Sequence, residues 1–518
     1  MAIETISRYD LRGGVNRLRR QNQNEVYYCQ NGRFESDGSI TVRDGQIRHV
    51  NIGATGNIEA LFVQKTNALG LRFYSIRRTT GSNDICYVGA TAISGPAFGA
   101  RDYSSIVEYK GVIFFSNGAG AINYHEPQLS SSKTWGTELW GASTWGTGTT
   151  RAAVSGTPTP PTGPFLVMYK DRMYVAGNDE NVYWSNAGLY TTLPTVDFPA
   201  LNFQVVGSTN DPVTGLAVGE NFLVAFTSGT YQIMTGVPGD DGGLGDMNWE
   251  VFSNIGCIAS RSISSLGRKV AFLGSNRRIY ILEGSVLTDI DPYDKIRQYL
   301  EAPSLGVLRA VASVFYGNEL WIYLPLSISE NVGRTLVYNT VSQNWTVFTG
   351  IDSFAMNFCP QIGALYAGKA TESTIYEQNN GPLDPSGSLI PVQFVSRQEV
   401  FGTYRKLKSL KKANVQLDVR HGESVAVSYS LENSDSFTAF GAGTPISPSG
   451  NLWGAELWGA SSWGGFSRQN QFLQPVAGGQ GVRATEFRLK LTGNLSPGTK
   501  ILGYDLDAEI IPRDEEVS

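Results

Sequence analysis

Three histidines, His49, His125 and His421, are all the imidazole that this 518-residue chain offers to acid–base or metal chemistry. They are scattered, whereas a serine-type relay or a metal triad needs an imidazole beside a nucleophile or beside further ligands. No Gly-x-Ser-x-Gly turn, phosphate-binding loop or His-Glu-x-x-His helix accompanies them. The four cysteines, Cys29, Cys86, Cys257 and Cys359, stand singly in apolar stretches with no Cys-x-x-Cys pair, and read as reduced core thiols. Asp240-Asp241-Gly242-Gly243-Leu244-Gly245-Asp246 has the oxygen density of a calcium loop. It lacks the distant bidentate Glu of an EF-hand and reads as an acidic hairpin. The residues therefore point to no enzyme, no metal and no cofactor.

Ser434-Asp435-Ser436-Phe437 is the nearest approach to the Ser-x-Asp-x-Gly-x-Thr-Trp boxes of sialidase-type enzymes, and it has neither their glycine nor their tryptophan. What is unusual is a tryptophan repeat. Trp135, Trp140 and Trp145 in Trp-Gly-Thr-Glu-Leu-Trp-Gly-Ala-Ser-Thr-Trp-Gly return as Trp453, Trp458 and Trp463 in Trp-Gly-Ala-Glu-Leu-Trp-Gly-Ala-Ser-Ser-Trp-Gly. A five-residue step puts successive rings on opposite faces of a strand and well apart around a helix, so each copy reads as a loop folding on itself. The six tryptophans are candidate subunit-interface anchors, with local self-packing and sugar stacking as alternatives. Two basic clusters, Arg17, Arg19 and Arg20, then Arg405, Lys406 and Lys408, are candidate contacts for an acidic partner or DNA. The plain alternative is a solvated face or a charged strand edge.

The elements that would carry these residues are strands. A unit of about 50 residues recurs from 57 to 378, each copy an apolar strand, a tight polar turn and an Ile/Val-Tyr or Tyr-Trp strand. Val112-Ile113-Phe114-Phe115, Met173-Tyr174-Val175-Ala176, Leu223-Val224-Ala225-Phe226, Val270-Ala271-Phe272-Leu273 and Leu320-Trp321-Ile322-Tyr323 open the clearest copies. Weaker ones run through Leu71 to Val88 and through Ala364 to Tyr376. Turns of the Ser-Asn-Gly, Gly-Asn-Asp and Thr-Ser-Gly kind tolerate positive φ and close hairpins. The expectation is an all-β chain: a β-propeller of about seven blades over 57–379, with residues 1–56 closing it or docking on it. An elongated sandwich with look-alike hairpins is the alternative.

Past residue 380 the pattern changes to strict alternation, in Val415, Leu417, Val419, in Val425, Val427, Tyr429, Leu431 and in Phe487, Leu489, Leu491. Alternation of period two marks antiparallel strands with one buried face, so 380–512 is expected to form a β-sandwich. Asn379 to Gly387 reads as the linker and 513–518 as an acidic tail. One helix is expected, from Asp291 to Leu300, with Ile296, Tyr299 and Leu300 on its apolar face. A formal net charge of −5 gives no general basic footprint for nucleic acid. With neither a secretory leader nor a membrane segment in the sequence, synthesis in a reducing cytoplasm is expected.

Arg12-Gly13-Gly14-Val15-Asn16, then Asn31-Gly32-Arg33-Phe34 through Gly38, and Val42-Arg43-Asp44-Gly45 resemble the opening of β-propeller tail proteins of short-tailed bacteriophages, variously called nozzle, tubular-B or tail-hub proteins. Tyr169 to Gly177 with Val182-Tyr183-Trp184-Ser185, Ser228 to Tyr231, and Gly256 to Tyr280 resemble their blades. The resemblance implies a non-enzymatic virion protein, one subunit of a sixfold ring below the portal and adaptor. Such a ring extends the channel for double-stranded DNA, retains the genome and lets it pass at ejection, with tail-fibre proteins as further neighbours. A distal, lectin-like receptor-binding propeller is the alternative. The paired Trp-Gly loops have no counterpart in the resemblance.

Overall fold

A strand with one water-facing side alternates in polarity, and a strand buried on both sides does not. The computed structural model shows both kinds, in two regions. It describes residues 3–511 except 19–20, 54–55, 67–69, 80–82, 93–97, 100–102, 110, 121, 126–152, 157–160, 188–194, 241–242, 244, 328–331, 371, 382, 384–386, 402–405, 421–422, 433, 441–465 and 474–481.

Strands dominate, as the all-β expectation requires. Seven small antiparallel sheets follow one another along residues 56–378. Their leading strands are Gly56–Thr66, Ser105–Tyr109, Phe165–Tyr169, Gly215–Val218, Ser264–Leu266, Ala312–Tyr316 and Ser353–Cys359. Each leading strand touches the next, and the seventh returns to the first, so the order is a closed cycle. The hairpin between first and second strands recurs with a two-residue loop. Tyr169 pairs with Arg172 across Lys170 and Asp171, whose φ values of 45° and 61° are those of a type I′ turn. Leu266 with Lys269 and Tyr316 with Glu319 repeat the spacing, each loop opening on a positive-φ glycine, Gly267 or Gly317.

The cycle is held by apolar layers between neighbouring sheets. Ile113 and Phe115 of the second sheet pack with Tyr74 and Ile76 of the first, whereas Phe114 packs with Leu166, Met173 and Val175 of the third. The same split places Val224 and Phe226 against Val270 and Phe272, and Leu223 and Ala225 against Tyr174 and Ala176. Trp321 and Val337 of the sixth sheet meet Leu365 of the seventh, and Tyr366 and Ile375 of the seventh meet Ile58 and Phe73 of the first. Both faces of the second strand are thus interior, which is why its sequence in the second to seventh sheets is an apolar run, whereas Gly70–Thr79 of the first sheet carries Arg72, Ser75 and Arg77 within it. Gln46–Asn51 pairs with Thr374–Gln378 and completes the seventh sheet from the N-terminal side.

The sandwich places Lys408–Arg420, Lys500–Ile510 and their neighbours against Ile390–Val395, Phe487–Leu495 and Val425–Leu431. Val415, Leu417, Val419, Val427, Leu489, Leu491 and Leu506 fill its core, all buried. The N-terminal segment, residues 1–56, expected to close the repeats or dock on them, has a further role: besides Gln46–Asn51 in the seventh sheet, it supplies strands to the sandwich, where Ile3–Arg8 and Ile40–Val42 pair with Lys500–Ile510, and Tyr28–Gln30 pairs with Ile390–Val395. Tyr28–Gln30 also meets the last strand of the sixth sheet at Gln30 and Val347, joining cycle and sandwich in one nine-stranded sheet.

The expected helix is corrected. Helical turns occupy Arg297–Glu301 and Leu305–Leu308. Asp294 adopts φ of 57°, which an α-helix cannot hold, so the chain from Asp291 to Ile296 is a turn. The Asp291 carboxylate accepts the backbone N–H groups of Lys295 and Ile296 there, at 2.8 and 3.0 Å. Ile296, Tyr299 and Leu300 are buried. Among the described residues no helix is long and apolar enough to cross a membrane.

Candidate functional site

Six of the seven leading strands, with the chain just before the fifth in place of that strand, surround a cavity of about 200 Å³ on the axis of the cycle. Glu59, Ser104, Phe165, Leu216, Arg261, Ser313 and Phe354 represent the seven sheets around it in order. Glu59 reaches the axis because the ladder between Gly56–Thr66 and Gly70–Thr79 slips at this point. Ile58 pairs with Arg77 and Ala60 with Ile76, leaving Glu59 as the unpaired residue of a bulge. Bulges re-aim a side chain in this way. Arg261 comes from a single 3-10 turn, Ser260–Ser262.

The Glu59 carboxylate is ion-paired with Arg261, whose sheet is three steps away around the cycle, so the pair spans the axis. Both side chains are almost completely buried, at 3% and 11% exposure. On the side of the first sheet Arg78 Nε lies 3.6 Å from Glu59 and 3.3 Å from Asp84, and Asn117 of the second sheet donates to Asp84 at 2.9 Å. The Arg261 guanidinium sits 5.4 Å from the Phe354 ring centroid and 5.9 Å from that of Tyr103. Burial pushes the Tyr103 phenol far above its ordinary range, so it stays protonated. The arrangement offers charge-neutralised polar groups between aromatic walls.

A second convergence lies where cycle and sandwich meet, and it is built from the opening motif of the chain. Asn31, at φ of 59°, donates from Nδ2 to the Pro391 carbonyl at 2.7 Å and to Thr349 at 3.0 Å. Its Oδ1 accepts from Arg43 Nε at 3.0 Å and from the Thr349 N–H at 2.8 Å. Arg43 is 1% exposed and donates onward to the Thr349 carbonyl. Arg33 pairs with Glu319 and donates to Asn379 at 3.0 Å, stacked 5.2 Å from Phe348. At Gly45 a Cβ would stand 2.0 Å from the Leu383 carbonyl oxygen, so only glycine fits. These side chains tie the sixth sheet, the 379–391 connection and the sandwich together. Glu399, fully buried in the sandwich, fixes the N-terminal strand by accepting from both Arg8 and Tyr504.

The candidate contact residues fare differently. Trp135, Trp140, Trp145, Trp453, Trp458 and Trp463 lie outside the described residues, as do Arg19, Arg20 and Arg405. Arg17 is no free contact, because its guanidinium is stacked 4.1 Å from the Tyr27 ring and approaches Tyr28 and Tyr299. Lys408 is fully buried and donates to the Thr485 carbonyl at 3.1 Å, and burial pulls its ammonium below its ordinary range. Of the second cluster only Lys406 is described as exposed. Lys408, Ser409 and Leu410, at the start of the strand Lys408–Arg420, are all buried, so the lysine lies in the interior and not on a charged edge. Of the acidic stretch that begins at Asp240, residues 241, 242 and 244 lie outside the described residues, and Asp240 itself lies 2.6 Å from Arg172 and accepts the Ala187 N–H. All four cysteines are buried free thiols. His49 lies 2.6 Å from Glu377, and burial lowers His125 to about 3, so it is neutral. His421 lies outside the described residues. Glu59 and Arg261 were not singled out from sequence. The signal available was a carboxylate interrupting the apolar run Ile58 to Val63.

No protein-family model and no curated protein matches this chain. Among solved structures it is similar to the computationally designed Ika8 protein, at 9% identity and a TM-score of 0.33, over 64% of this chain and 99% of that one. It is also similar to the extracellular domain of a one-component system protein of B. thetaiotaomicron, at 10% identity and a TM-score of 0.38, over 90% of this chain and 62% of that one.

Proposed function

We propose that this chain is a structural subunit of a short-tailed phage tail, one copy in a sixfold nozzle ring that extends the DNA channel below portal and adaptor. The seven-sheet cycle is read as a seven-bladed β-propeller. The observation that carries the proposal is the nine-stranded sheet running from the sixth member of the cycle into the sandwich. It makes the two regions one stiff block, and stiff blocks suit the wall of a conduit. The resemblance motif supports the same reading, because Asn31, Arg33, Arg43 and Gly45 sit at that weld.

The axis of the single cycle is not the conduit. The Glu59–Arg261 pair bridges it, and a cavity of about 200 Å³ is far too small for a duplex. DNA would pass between copies arranged in a ring, along a surface whose parent chain carries a net charge of −5 and so holds DNA weakly. Size-exclusion chromatography with light scattering, alone and with portal and adaptor proteins added, tests this. A ring of about six copies, or co-elution with the portal complex, supports the proposal. A chain that stays monomeric and binds neither protein overturns it.

A further inference from the structure

Two positive charges at the junction of cycle and sandwich are held in place but not neutralised. Arg17 lies 4.1 Å from the Tyr27 ring centroid and 5.9 Å from that of Tyr299, and Arg334 of the sixth sheet lies 5.3 Å from Tyr299. Burial pushes the Tyr28 and Tyr299 phenols up, and Arg17 and Arg334 both oppose that rise, so both guanidiniums stand near both rings. Among the described residues neither arginine is ion-paired or donates a side-chain hydrogen bond. The cations beside them are matched: Arg488, 4.4 Å from Tyr27, has Asp435 at 3.6 Å, and Lys295 has Glu25 at 2.8 Å. Arg17 and Arg334 are half-buried, and of their guanidinium nitrogens only Arg17 Nε is closed off from solvent. Stacking on rings thus leaves two guanidiniums ordered, accessible and open to an anionic partner.

The surface next to them is apolar. Val332 precedes Arg334 by two residues on the same face of the strand, and Leu326, whose N–H donates to the Val332 carbonyl at 2.9 Å, stands across from it. Leu326, Val332 and Leu18, the neighbour of Arg17, are all exposed. A phosphate backbone has nothing for these aliphatic side chains, whereas a peptide with carboxylates beside an apolar residue meets both. The chain has one place where three acidic residues are consecutive, Asp514, Glu515 and Glu516, and Val517 follows them. Residues 512–518 lie outside the described residues.

We propose that Arg17 and Arg334, flanked by Leu326 and Val332, are the docking surface for residues 514–517 of a neighbouring copy. Such a contact sets a surface of one copy against a segment of the next, the head-to-tail kind that closes rings. Its place in a ring rests on the assembly proposed above, but the binding of the segment does not. Fluorescence anisotropy of a labelled peptide of residues 511–518, titrated with the full chain, tests the surface by itself. Saturable binding is expected, weakened about two- to fivefold by Arg17→Gln or by Arg334→Gln and lost in a peptide with Asp514→Asn, Glu515→Gln and Glu516→Gln. If Arg17→Gln fails to fold by circular dichroism, Arg334→Gln alone decides. No binding, equal binding of the neutral peptide, binding undiminished in the folded arginine variants, or tighter binding of a short DNA duplex at the same arginines would overturn the proposal. Mixing tests the neighbour: full chain carrying both arginine substitutions is combined with full chain carrying the three acidic-residue substitutions, so that one intact segment meets one intact surface only between copies. Mixed complexes by light scattering are expected, and their absence would overturn docking between copies. Peptide binding and mixed complexes without any closed ring would uphold this surface and count against the nozzle reading alone.

Discussion

In the cycle a second strand has two interiors, and in the sandwich each strand has one. Phe114 and Phe115 are adjacent in sequence and both fully buried, in layers on opposite sides of one sheet. Leu417 is buried in the sandwich between Gln416 and Asp418, which are not. The difference teaches where tolerance to change resides. A sheet wedged between two others cannot relax outward on either face, while the sandwich keeps a solvent face that accepts polar substitution.

The largest expected effects test that contrast directly. Phe114→Ala and Phe115→Ala should each cost about 3–5 kcal/mol. Leu417→Ala should cost about 2–5 kcal/mol, but Gln416→Ala and Asp418→Ala only about 0.5 kcal/mol. Urea unfolding midpoints at unchanged m-value measure all five. Equal costs at 416 and 417 would show that the sandwich strand too has two interiors.

Next come the buried carboxylates, one in each region. Glu59→Ala removes the carboxylate paired with Arg261 at the axis, and Glu399→Ala removes the one that accepts from Arg8 and the Tyr504 hydroxyl in the sandwich. Removing one partner of a buried pair costs about 3 kcal/mol or more, and both variants should show it in chemical denaturation. The regions should separate in hydrogen exchange: Glu59→Ala loosens the first and fifth sheets, Glu399→Ala the strand Ile3–Arg8. Loosening spread evenly over the chain in both cases would contradict the assignment of each carboxylate to its region.

A smaller effect follows from Asp291, whose burial raises its carboxyl from 3.8 to about 6. The folded protein holds that proton more tightly than the unfolded chain does. Its stabilising contribution is complete below pH 3.8 and is lost as pH rises through about 6. Over that window the wild type should lose on the order of 3 kcal/mol relative to Asp291→Asn, read from paired pH-dependent denaturation curves. Parallel curves would remove Asp291 as the cause. The smallest effect is chemical: burial pushes the Cys29 and Cys257 thiols up to about 12, so neither should react with a thiol reagent until the chain unfolds.

The same contrast explains what was legible in the sequence. Runs such as Val112 to Phe115 announce a sheet buried on both faces, and five of them were clear in the sequence, whereas the stretches at Leu71 to Val88 and Ala364 to Tyr376 were weaker. Alternation in Val415, Leu417, Val419 announced the sandwich equally well. Strands of two or three residues carry no period, so the placement of Tyr28–Gln30, Gly32–Phe34 and Ile40–Val42 was not legible. The axial site was hidden for another reason. Its members come from seven separate places, and Glu59 arrives there through a bulge that no spacing rule reveals.

A cryo-electron microscopy image of the assembled particle tests the central claim most directly. The account expects about six copies in a closed ring beneath the portal and adaptor, with the lumen between copies and each seven-sheet cycle lying in the wall. A solitary copy at the tail's far end, or a ring whose lumen runs through the cycle's own axis, would contradict it.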